Sequence, residues 1–160
     1  MPKITLLLHN IRSTHNVGSI FRTAEGFGVD KIILTGYTPY PIHSDDARLP
    51  HLAVKIDKQI NKTALGATAI VPFEYYDNLL TWVNGNTLPL VALEQAPGSY
   101  NLADYTPPSE FVLVLGEEVE GIPEELMKHC ESIVEIPMMG KKESFNVSVA
   151  TGIALFALTI

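Results

Sequence analysis

The chain has 160 residues, 46% of them hydrophobic and 18% charged, with a formal net charge of −7, a globular composition that excludes a disordered chain. That length reads most simply as one domain, 1–160, able to bury a substantial core. A single cysteine, Cys130, excludes an internal disulfide framework; with no secretory apolar region and no run near the roughly 20 residues of a membrane span, a soluble cytoplasmic protein with no membrane partner is expected.

The acidic balance argues at first against a nucleic-acid partner, because phosphate binding needs a basic footprint. The charge is unevenly spread, however. Residues 1–62 hold eight Lys and Arg against five Asp and Glu, a local +3, and the remainder hold three against thirteen, a local −10. Arg12, Arg22, Arg48, Lys55, Lys58 and Lys62 are candidates for a basic face. On charge alone the reading is a solvated pattern with no partner.

The first apolar run, ITLLLH at 4–9, predicts a strand. Val17, Ile20, Phe21, Ala24 and Phe27 then recur at helical spacing, so 16–27 reads as an amphipathic helix stopped by Gly28. KIILTG (31–36) predicts a second strand, followed by a loop at 36–50 rich in Pro, Gly and Asp. AIVPF (69–73) predicts a strand and 75–84 a helix; no element is assigned between that loop and residue 69. LPLVALE (88–94) predicts a strand, and a second long loop covers 95–110. FVLVLG (111–116), a helix opened by Pro123 over 123–130, SIVEIP (132–137) and a long final helix over 145–158, capped by Ser144, complete the chain. The strand candidates are apolar runs without alternation, as expected for a parallel sheet covered by helices on both faces. Strands alternating with helices make an α/β domain. Long loops in such a domain are often binding elements or lids.

Familiar catalytic motifs are missing: no Walker loop, no GxSxG elbow, and no GxGxxG after the first strand. The histidines lack metal-ligand spacing, so no metal is expected. His129 sits beside Cys130, but nothing marks the thiol as activated, and it reads as a small buried thiol. Four segments remain. Asn10, Arg12, Asn16 and Arg22 surround the junction of the first strand and helix, which suits an anion or ribose hydroxyl. The plain alternative makes Asn16 a helix cap and Arg22 a surface cation. LVLGEEVEGIPEEL (113–126) ends a buried strand at Gly116, where a ligand can approach the backbone. Its plain alternative is a turn with a solvated acidic helix start, which Glu124 and Glu125 fit. In EIPMMGKKESFNVSVATG (135–152), Ser144, Asn146 and Ser148 give more polar groups than capping needs. VALEQAPGS (91–99) is another strand end running into a loop.

Taken in order, NVGSIFRTAEGFGVDKIILTG (16–36), LVLGEEVEGI (113–122) and IPMMGKKESFNVSVATGIALF (136–156) resemble the three motifs of the SPOUT superfamily of RNA methyltransferases, in its TrmH-type 2′-O-ribose branch. The resemblance covers nearly the whole chain. It implies a parallel-sheet α/β fold with a deep C-terminal trefoil knot, a homodimer with the site near its interface, and S-adenosyl-L-methionine held bent in the knot. Its catalytic set falls on Asn16, Arg22, Glu118, Ser144 and Asn146. Its cofactor-binding positions fall on Leu93, Gly116, Ile136 and Phe145. The implied activity is S-adenosylmethionine-dependent 2′-O-methylation of a structured RNA, tRNA ahead of rRNA. The alternatives are a non-catalytic protein that keeps the pocket, and a base-nitrogen methyltransferase.

These residue types suit the chemistry. A ribose 2′-hydroxyl is a poor nucleophile at neutral pH and needs its proton removed or its developing charge stabilised. A guanidinium is a reluctant base, so Arg22 stays open between base, oxyanion partner and phosphate clamp. Phe145 stands where leucine is usual in the family. The chain also reads as little more than a catalytic core, without the RNA-binding extensions common in family members.

Overall fold

A computed structural model describes all 160 residues. Seven strands form one sheet: β1 (Lys3–His9), β2 (Lys31–Thr35), β3 (Phe73–Tyr76), β4 (Leu90–Leu93), β5 (Tyr100–Asn101), β6 (Glu110–Leu115) and β7 (Cys130–Glu135). Their spatial order is β3-β2-β1-β6-β4-β7-β5, and every pairing is parallel. Four helices connect strands, α1 (Thr14–Gly26), α2 (Pro50–Ala64), α3 (Leu79–Gly85) and α4 (Glu124–Met127), and α5 (Val147–Thr159) follows the last strand.

The unbroken apolar runs have a direct cause. Successive side chains of a strand point to opposite faces, and here both faces are covered. Along β6, Phe111, Leu113 and Leu115 join one buried cluster while Val112 and Val114 join the other. α1, α2 and α5 supply the first cluster through residues such as Phe21, Ile60 and Leu155. α3 and α4 supply the second through Leu79, Val83 and Leu126. The expected parallel sheet with helices on both faces is therefore present.

Several local expectations are corrected. The unassigned stretch holds α2, started by Pro50 and burying Ala53, Ile60 and Ala64. AIVPF is not a strand: Ala67–Ala69 form a 3-10 turn, and β3 begins at Phe73. Tyr75 and Tyr76, expected in a helix, pair with Leu34 and Thr35 instead. Asn78 then caps α3, its Oδ1 accepting from the Leu80 and Thr81 N–H groups. The loop at 95–110 carries the short strand β5. The loop after β2 is tied down by Arg48, whose guanidinium donates to both Asp46 carboxylate oxygens (2.9 and 2.6 Å) and to the Tyr40 and Pro41 carbonyls. It also lies over the Tyr40 ring, which stacks on Tyr75 at 3.8 Å. Arg48 is thus spoken for and drops out of any free basic face.

Candidate active site

β6, β4 and β7 are neighbours in the sheet, so their carboxyl ends open side by side. The order of connection reverses near this point, the place where open α/β sheets bind ligands. A cleft of ≈ 730 Å³ lies there, with Leu93, Leu115, Gly116 and Ile136 as its floor and Ser144 and Phe145 on its rim. All four residues expected to bind a cofactor, Leu93, Gly116, Ile136 and Phe145, line it. Phe145 is free to do so because α5 begins only at Val147, two residues later than expected. Ser144 is not its cap.

Asn146 caps α5 instead. Its Oδ1 accepts from the Ser148 N–H at 2.9 Å and the Val149 N–H at 3.3 Å, and from the Ser148 hydroxyl at 2.6 Å. Its Nδ2 remains available and donates to Asn16 Oδ1 at 3.2 Å. Asn16 is no cap either, since Ser13 caps α1 by accepting from the Asn16 N–H. The Asn16 amide instead donates to Glu118 Oε1 at 3.2 Å. One relay, Glu118–Asn16–Asn146–Ser148, thus ties the loop after β6 to the first turns of α1 and α5. Three of the five expected catalytic residues meet in it.

Ser144 lies beside that relay, exposed and lining the cleft. Arg22 does not join it. It is exposed, makes no hydrogen bond or ion pair, and lies outside the cleft of its own chain. Six residues of α-helix turn it about 120° from Asn16 around the axis, so the two do not face one cleft within a single chain.

The loop over the cleft is held by a residue that was not singled out. Glu94 accepts from the Ile122 N–H through Oε2 (3.1 Å) and from the Gln95 N–H through Oε1 (2.9 Å). Gly121 sits against that carboxylate at φ +72°, and a Cβ there would collide with it. Over Gly116, the Gly121 and Ile122 backbone lies 2.6 Å from where a Cβ would stand. Gly116 is therefore required by the loop's own close approach, while it also lines the cleft, where a ligand was expected to reach the backbone. The signal for Glu94 was an acidic residue directly after a buried strand, in VALEQAP.

Six carboxylates line the cleft (Glu94, Glu117, Glu118, Glu120, Glu124 and Glu143), and no Lys or Arg does. Such a lining favours a cationic ligand with apolar parts. Away from the cleft, burial pushes the Cys130 thiol up to about 11, consistent with an inert structural cysteine.

A profile of the SpoU rRNA Methylase family matches residues 3–156. The chain belongs to that family. Among curated relatives, the 23S rRNA (guanosine-2′-O-)-methyltransferase of Salmonella typhi is 30% identical over 158 residues, covering 94% of this chain and 57% of its own length. Among solved structures, the AdoMet-bound rRNA methyltransferase of Sinorhizobium meliloti superposes with a TM-score of 0.77 at 25% identity, over 97% of this chain and 55% of that one. The TrmH/SpoU tRNA modifying enzyme of A. aeolicus gives 0.73 at 27% identity, over 98% and 74%. This SpoU chain therefore spans little more than half the length of the curated relatives it matches. No helix in it is long and apolar enough to cross a membrane.

Proposed function

We propose that this chain transfers a methyl group from S-adenosyl-L-methionine to a ribose 2′-hydroxyl of a structured RNA. The observation that carries the reading is the Glu118–Asn16–Asn146–Ser148 relay, whose Glu118 lines a cleft that Leu93, Gly116 and Ile136 also line. The lining fits the cofactor: carboxylates suit its sulfonium and ammonium charges, and Leu93, Ile136 and Phe145 suit its adenine. When bound, the cofactor supplies an electrophilic methyl on a charged sulfur. The chain's own residues position the acceptor. Asn16 and Asn146 are locked in orientation by their mutual bond, which leaves the exposed Ser144 hydroxyl and the Asn amides to hold a ribose.

The reading assigns Arg22 to the cleft of a second copy in a homodimer, where its charge would stabilise the developing alkoxide or grip the neighbouring phosphate. Two features support a dimer. Val149, Ile153, Phe156 and Ile160 recur along one side of α5 and are all exposed, the last two at 58% and 86%. Thr23, next to Arg22, lies over Gly152 in the same helix. The strand order also supports a C-terminal knot, because β7 inserts between β4 and β5, which precede it in the chain. The expected preference for tRNA gains no support from the curated relative, whose name specifies 23S rRNA.

The test is transfer of labelled methyl from the cofactor to bulk tRNA and to rRNA, followed by alkaline hydrolysis, which spares the bond beside a 2′-O-methyl. Transfer with alkali-resistant dinucleotides is expected. Bound cofactor with no transfer to either RNA would overturn the activity, and methyl found on a base would overturn the site of transfer.

A further inference from the structure

Of the eleven Lys and Arg, only Lys3, Lys31 and Arg48 form ion pairs. Five of the other eight are Arg12, Arg22, Lys55, Lys58 and Lys62, on α2 or in and just before α1. Within α2, His51, Lys55, Lys58 and Lys62 follow a spacing of four, three and four residues, which keeps them within about 60° of one another around the axis. All four are exposed, on the side opposite the buried Ala53, Ile60 and Ala64. The stripe is about 16 Å long at 1.5 Å per residue.

An ordinary solvated helix face intersperses carboxylates as i,i+4 partners. This one has none. The single acid of α2, Asp57, lies well off the stripe and is occupied, accepting from the Ile42 N–H at 2.9 Å and from the Asn61 side chain. In a chain of net charge −7, four residues of this kind without a counter-charge form a surface that seeks anions.

Its position joins it to the cleft. The Thr63 hydroxyl donates to the His15 carbonyl at 2.8 Å, and the bare Cα of Gly18 seats against the Ile60 carbonyl and Thr63. The last turn of α2, which carries Lys62 on its outer face, therefore packs through its inner side against the turn of α1 that carries Asn16.

We propose that the outer face of α2 is a docking surface for the RNA phosphodiester backbone, running from His51 through Lys55, Lys58 and Lys62 towards the α1 turn beside the cleft. It supplies the positive footprint that the acidic cleft lacks. The proposal rests on the RNA-methylating reading of the cleft.

The test compares the full chain with its K55A/K58A/K62A and K55R/K58R/K62R variants. Binding to fluorescent bulk tRNA and to a labelled rRNA hairpin is measured by anisotropy over a range of KCl concentrations. The alanine variant should bind at least tenfold more weakly, with a slope of log affinity against log salt smaller by about 2–3. The arginine variant should keep both. Cofactor affinity by calorimetry and the melting temperature should stay at the wild-type values in both variants. Unchanged RNA binding and salt slope in the alanine variant, with methyl transfer intact, would overturn the docking surface and leave the activity standing. Loss of a dimer in the alanine variant would make the stripe a contact between copies and overturn the proposal. A wild-type chain that binds cofactor but no RNA would overturn the activity and the docking surface together.

Discussion

Replacing Asn146 separates its two jobs. Its Oδ1 caps α5 through the Ser148 and Val149 N–H groups, and its Nδ2 orients Asn16. Asn146→Ala removes both. Loss of an N-cap costs about 1 kcal/mol, within a range of about 0.5–2. The Asn16 bond is exposed and adds a few tenths, about 0.5 kcal/mol at most, since water replaces it. For a chain of this size about 1 kcal/mol corresponds to about 2–4 °C, so the melting temperature should fall by about 2–5 °C. Asn146→Asp keeps a good cap, favoured by the helix dipole, yet cannot donate to Asn16. It should melt within about 2 °C of wild type while the methyl-transfer rate drops tenfold or more, about 1.4 kcal/mol of barrier. Ser144→Ala should leave stability unchanged. Thermal and urea melts of the three variants, paired with single-turnover transfer, provide the comparison. A Ser144→Ala melt as low as that of Asn146→Ala would refute the cap, and a fully active Asn146→Asp would refute the relay.

Arg48→Ala should destabilise the chain at neutral pH by about 2 kcal/mol through its charged hydrogen bonds and the ring contact. The Arg48 hydrogen bonds hold the Asp46 carboxyl well below the ordinary carboxylate range, so this contribution is complete above the unfolded value near 4 and is lost as pH falls below it. Urea melts at pH 7 and pH 3 should show the gap between wild type and variant narrowing on acidification; a constant gap would dismiss the ion pair. Gly121→Ala should weaken cofactor binding at least tenfold by calorimetry, because the methyl displaces the Glu94 carboxylate and the φ of +72° is strained for alanine. In the proposed homodimer, Phe156→Glu should shift the chain to a monomer by sedimentation and reduce methyl transfer, with helix α5 retained by circular dichroism; a variant as dimeric as the wild type would remove α5 from the proposed interface.

How much of this was legible depended on the range of the interactions. The strands β1, β2, β4, β6 and β7 were readable because two covered faces demand apolar runs. Helix α1 was readable from Val17, Ile20, Phe21 and Ala24 at helical spacing, all of which are buried. Helix α2 was missed although Pro50 and the apolar positions at 53, 56, 60 and 64 marked it, because its lysines and polar residues masked a narrow buried face. β3 was misplaced because Tyr75 and Tyr76 suit either a strand or a helix, and pairing with β2 decides between them.

The candidate site divides in the same way. Residue types and positions nominated Asn16, Ser144 and Asn146, the family resemblance added Glu118, and the structure brings Asn16, Glu118 and Asn146 into one hydrogen-bonded relay with Ser144 beside it. Partnership was beyond reach of the sequence, since the two bonds of Asn16 span 102 and 130 residues. Capping is a local matter, yet which of Ser13, Asn16, Ser144 and Asn146 caps a helix depends on where each helix starts, and packing sets that within one turn. Arg22 shows the clearest difference. Its identity is written in the chain, but its direction follows from the face of α1 that the sheet buries, and that face turns the guanidinium away from the cleft beside which its own helix begins.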